Sequence, residues 1–152
     1  MKFIVLSIIS FGFTQYYNLD IAETGQSHLI VFQETINIED GWEIGVFDQN
    51  AIINDGNCYT DYGELLVATG IWNGNQLDFS AIGSIDFCDI GGEQRAGYME
   101  DNEISIRIYN PFESVEYTTN YSTFDGMEPS FISGFLTAIS ALSIDEVYAI
   151  AE

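Results

Sequence analysis

A chain of 152 residues with 47% hydrophobic and 14% aromatic residues is sized for one domain with a real core and is too apolar for a disordered chain. Twenty-four Asp and Glu stand against three Lys and Arg, a formal net charge of −21, so the surface repels phosphate backbones and anionic bilayers and favours divalent cations. Nucleic-acid binding is thereby excluded as a function class, and 14 Gly against 2 Pro fit a turn-rich β protein.

The chain opens MKFIVLSIISFGFTQ: Lys2 precedes an apolar run from Phe3 to Phe13. The run has the length of a signal-peptide core and is too short for a bilayer span of roughly 20 residues. Thr14 and Gln15 end it, which predicts a signal peptide over residues 1–15, cleavage near Gln15 and a secreted single domain over 16–152. A buried N-terminal strand is the alternative. No cysteine follows to carry a lipid, no later stretch is apolar for long enough to enter a membrane, and without Lys2 only Arg95 and Arg107 oppose the 24 acids.

Period-two alternation dominates the rest. YYNLDIAET and SHLIVFQETI read as early strands. GWEIGVFD sets Trp42, Ile44 and Val46 on one face and Glu43, Gly45 and Phe47 on the other, with Glu43 expected in solvent and Asp48 at the strand end. LLVATGIW is apolar on both sides, as a central strand would be. QLDFSAIG alternates Leu77, Phe79 and Ala81 with polar residues, EISIRIYN sets Ile104, Ile106 and Ile108 against Arg107 and Tyr109, and VEYTTNYS sets Val115, Tyr117, Thr119 and Tyr121 against Glu116. FLTAISALS reads as a strand or a short buried helix, and EVYAI as a strand. Asp-Gly, Asn-Gly and Gly-Gly turns divide these segments about every ten residues. The pattern predicts an all-β, two-layer antiparallel β-sandwich of about 8–9 strands.

Cys58 and Cys88 form an even pair in an exported chain and predict one disulfide. Nucleophilic catalysis has little support. The one histidine, His28, lies inside a strand with Ser27 on the opposite face, and no G-x-S-x-G elbow is present. Paired acids across a sugar cleft are harder to build on a small sandwich, so no enzyme activity is expected.

Metal binding is the more credible use of the acids. In NDGNCYTDYGE, oxygen ligands recur at Asn54, Asp55, Asn57, Asp61 and Glu64, and calcium takes roughly six to eight oxygens. EF-hand spacing fails, because Tyr59 occupies the fifth position counted from Asp55. SIDFCDIGGE brings Asp86 and Asp89 through Cys58–Cys88, so two stapled acidic loops make a candidate Ca2+ site; a solvated acidic loop is the simpler reading. Tyr59, Tyr62 and Trp72, in or near loops, are candidates for stacking on sugar rings, although tyrosine is also ordinary in strands.

The order EIGVFD, a Gly/Asn/Asp loop with Cys58, GELLVATGIW, QLDFSAIGS, Cys88 and AGYMEDNEISIRIYNP resembles a β-sandwich module of secreted, multi-domain surface proteins of Bacteroidetes and related marine bacteria. Gly41, Glu43, Ile44, Gly45, Phe47 and Asp48 carry the first part, with Trp42 in place of the usual Asp. Gly97, Tyr98, Asn102, Ile104, Ile106, Arg107 and Tyr109 carry the second. The resemblance implies an extracellular non-catalytic sandwich, like cohesin or carbohydrate-binding modules, and carries over no catalytic residue. This chain departs from it as a lone module with no recognisable C-terminal sorting domain.

The expected function is secreted binding or adhesion, to a polysaccharide or cell-surface glycan, with Ca2+ support. A subunit that self-associates into a fibre or surface layer is the alternative, through YYNLDIAET or EVYAIAE at a sheet edge.

Overall fold

The computed structural model describes residues 14–150; the leader assigned to residues 1–15 lies almost entirely outside them. The described residues form strands β1 (Ser27–Phe32), β2 (Glu43–Ile52), β3 (Tyr62–Ile71), β4 (Leu77–Ile82), β5 (Ile85–Asp86), β6 (Gln94–Arg95), β7 (Ser105–Asn110), β8 (Val115–Thr123) and β9 (Leu136–Ile150). Two single 3-10 turns, Cys88–Ile90 and Phe124–Gly126, are the only helical pieces among them. No helix there is long and apolar enough to cross a membrane.

Seven strands make one sheet in the order β3-β2-β7-β8-β9-β1-β4, and β5 pairs with β6 in a small second sheet. The architecture is the expected all-β sandwich, with the large sheet curled until it is nearly a barrel. Its edge strands approach so closely that a Cβ on Gly70 of β3 would lie 2.8 Å from the Phe79 ring of β4. LLVATGIW is therefore an edge strand that the curl buries, not a central one. Pairing is antiparallel except between β9 and β1, which run parallel with Leu29 opposite Leu136 and Phe32 opposite Ile139. FLTAISALS is strand, not helix, because this pairing draws it into the sheet.

The concave face collects the alternating apolar residues. Ile30 and Phe32, Ile44 and Val46, Val67, Ala81, Ile106 and Ile108, and Ile139 and Leu142 pack together, with Trp42, Trp72, Tyr98 and Phe131 filling the ends.

The convex face is where the alternation rule fails. Glu43, expected in solvent, is only 4% exposed, and Arg107, Tyr109 and Glu116, which alternate with the core residues, are 5%, 8% and 4% exposed. YYNLDIAET is not a strand: its first residues lie over β2, β7 and β8 as irregular chain. Tyr16 stacks on Tyr109 at 3.9 Å between centroids, and Tyr17 packs on Phe47 in a small second core with Leu66.

Candidate functional site

Two loops at one end of the sandwich are joined as the sequence predicts. Cys58, between β2 and β3, is bonded to Cys88, between β5 and β6, with Cα atoms 5.8 Å apart across a separation of 30 residues. The Asp-Gly of NDGN supplies a left-handed Gly56, φ 78°, that reverses the first loop. Asp86 Oδ1 accepts from Cys88 N at 2.9 Å to start the second turn, and Gly91, φ 79°, ends it.

Gln94 of β6, fully buried, ties the loops together. Its amide donates to Asn54 O at 3.3 Å and Asn54 Oδ1 at 3.0 Å, and its carbonyl accepts from Thr60 Oγ1 at 2.6 Å. Asn54 donates in turn to Asn57 Oδ1 and Tyr59 O, at 2.9 and 2.7 Å, and accepts from Asp61 N at 2.9 Å. Asp55 Oδ1 accepts from Ala96 N at 2.7 Å. Sequence reasoning missed Gln94; a lone glutamine after Gly-Gly carries no signal of the role.

This bracing decides what the loops offer. Asp55, Asn57 and Asp86 spend side-chain oxygens on holding the loops in shape. Glu64 turns away from them to pair with Arg107, while Asp61 and Asp89 are exposed. Among the described residues no three His, Cys, Asp or Glu side chains are grouped so that they could hold a metal ion.

The loops instead raise apolar and aromatic side chains into solvent: Tyr59 is 85% exposed, Ile90 82%, Tyr62 54% and Phe87 48%. Trp72 is not part of this surface. It is 2% exposed, because Trp72 N donates to Trp42 O and its own carbonyl accepts from Gly41 N, both at 2.8 Å, drawing the indole into the core.

No family model, curated protein or solved structure matches this chain.

Two buried polar clusters have a different character. Asp48 does not end its strand, which runs on to Ile52 past a register shift; fully buried, it accepts from Asn50 N and Met99 N at 2.8 Å and from the Asn102 amide at 2.9 Å, fastening the middle of β2 to the segment before β7. On the convex face Arg107 pairs with Glu64, has Glu116 at 3.7 Å, and lies over the rings of Phe47 and Tyr148 at 4.2 and 3.8 Å. Burial works against the Arg107 charge, but the bond and charge of Glu64, with Glu116, hold its pKa above the ordinary value. Glu116 accepts from Tyr17 Oη at 2.8 Å and Tyr16 Oη at 3.3 Å. Burial first, then this carboxylate, pushes both tyrosine pKa values up, so both stay protonated donors.

His28 is structural: it is 1% exposed, its Nδ1 accepts from Ile132 N at 3.0 Å, and its Nε2 faces Thr137 Oγ1 at 3.0 Å. Burial lowers its pKa, favouring the neutral ring.

Proposed function

We propose that the protein is an extracellular, non-catalytic binding module whose recognition surface is the disulfide-joined loop pair and whose ligand is a neutral polysaccharide. The observation that carries this reading is Tyr59, 85% exposed on a loop that a disulfide and a buried glutamine hold in place. An exposed aromatic side chain on a loop already braced binds without a further cost for ordering that loop. Tyr62, Phe87 and Ile90, on or beside the same joined loops, are exposed as well, and exposed apolar side chains of this kind suit an interaction surface. The charge of −21 selects against anionic chains such as polyuronates or sulfated glycans, and so favours neutral ones.

The test is electrophoresis through gels containing neutral polysaccharides, comparing the protein with Y59A and I90A. Retardation that both substitutions abolish, with unchanged unfolding midpoints, supports the reading; retardation that survives both places the ligand elsewhere.

A second reading, self-assembly, is favoured by β9. Its Leu136–Ile139 pair with β1, but from Leu142 to Ile150 only β8 pairs with it among the described strands. Ile144, Val147, Tyr148 and Ile150 are exposed along this stretch. A second copy of the chain could add its own β9 there. Light scattering across a hundredfold concentration range decides it: growth in mass that V147K removes supports assembly, and a constant monomer mass ends that reading.

A further inference from the structure

The carboxylate of Glu43 is 4% exposed and, among the described residues, no Lys, Arg or His lies within salt-bridge distance of it. Its partners are main-chain nitrogens of the N-terminal segment. Both oxygens stand 2.9 Å from Tyr16 N, and Oε2 also accepts from Tyr17 N at 2.9 Å. An amide nitrogen has one hydrogen to share between two oxygens, whereas an ammonium has three. Gln15, the residue on the other side of that nitrogen, lines an open groove with Gly41, Glu43, Ile71 and Pro111.

We propose that Glu43 is the receptor for the amino terminus of the processed chain, created by cleavage between Gln15 and Tyr16. This rests on the extracellular reading above. A leader peptidase adds water across the Gln15–Tyr16 bond, leaving a carboxylate on Gln15 and an amine on Tyr16 that takes up a proton. The new ammonium is held in place by both Glu43 oxygens, so a buried carboxylate without a counter-ion becomes one half of a buried ion pair. Tyr16 and Tyr17 are then fixed over the convex face, where their hydroxyls reach Glu116. Processing and completion of the second core become one event.

The composition supplies a direct probe. Lys2 is the only lysine, so residues 16–152 contain no primary amine except the α-amine itself. The processed chain is prepared from a fusion whose removal leaves Tyr16 first, and it is treated with an amine-specific acylating reagent in buffer and in urea. The expected result is labelling at least tenfold slower in buffer. Labelling at one rate in both overturns the proposal.

A second arm measures midpoints for chains beginning at Tyr16 and at Gly-Ser-Tyr16, each with Glu43 and with E43Q. The extension should lower the midpoint by about 3–6 °C with Glu43 and leave it within about 1 °C with E43Q. Equal losses in both backgrounds overturn the proposal, and the labelling arm stands even where E43Q does not fold. Intact mass of the exported protein completes the test. A start at Tyr16 supports the assignment and a start elsewhere refutes it. A chain that keeps its leader but shows the coupling in vitro refutes export, not the carboxylate–ammonium pair.

Discussion

Replacing both cysteines by serine (C58S/C88S) removes a cross-link that closes a 30-residue separation. In the chain-entropy model the bridge withholds about 12 cal/mol/K from the unfolded ensemble, or about 3.6 kcal/mol at 25 °C. At roughly 3–4 °C per kcal/mol for a domain of this size, the midpoint should fall by about 10–14 °C. The enclosed segment holds β3 and β4, whose pairing with β2 and β1 survives, so the native fold should persist with a looser unfolded state. The assay is urea unfolding followed by tryptophan fluorescence, since Trp42 and Trp72 are both buried, run on wild type, wild type with reductant and the double variant. Reduced wild type should match the double variant. A loss under about 1 kcal/mol would refute the reasoning: the Gln94–Asn54 network would then hold the loops unaided, and the cross-link would restrain little of the unfolded chain.

Four further outcomes are expected. D48A strips three donors of a fully buried acceptor and should cost about 3–4 kcal/mol in urea unfolding, the loss falling on the middle of β2 and the segment around Met99. R107M leaves Glu116 buried with only tyrosine hydroxyls and should cost about 3 kcal/mol, while R107M/E116Q recovers a large part; a double variant as weak as the single one would show that ring packing, not charge, holds Arg107. His28 has a lowered folded pKa, so the unfolded chain binds the extra proton first: stability is full above about pH 6.5 and falls as pH drops toward the folded value, and H28Q should lose that limb of the pH profile. Millimolar Ca2+ should shift the midpoint by less than about 1 °C at fixed ionic strength, since among the described residues no three acidic side chains are grouped to hold an ion; a rise of several degrees specific to Ca2+ over Mg2+ would restore the acidic loops as a metal site.

The concave face was legible because its rule is local. Ile104, Ile106 and Ile108 alternate with polar neighbours and are buried, and Tyr59 follows a turn and is exposed. Glu43 was misread, and the burial of Arg107 and Glu116 was not foreseen, because alternation assumes that one face of a strand meets water. What covers that face is a pair of tyrosines about 100 residues from Glu116 in sequence, and no window along a strand contains them. Trp72 was misread for a related reason: Gly70 and Ile71 before it and Asn73 after it look like a loop, while a main-chain ladder to Trp42 turns it inward. The pairing of the cysteines was legible because only one partner exists for each. The parallel pairing of β1 with β9 was not, since only the closure of the whole sheet brings those strands together.

That parallel pair also sets the order of events in time. β1, the first strand, is flanked by β4 on one side and β9 on the other, so its position in the sheet cannot be completed until Leu136–Ile139 are available. Contacts that span the chain are slow to form, because a long loop must close before they contribute. The β2–β3 and β1–β4 pairs can form early, but the barrel-like curl waits for β9. Until Leu136–Ile139 are in place, β1 has only β4 beside it and the curl of the sheet stays open.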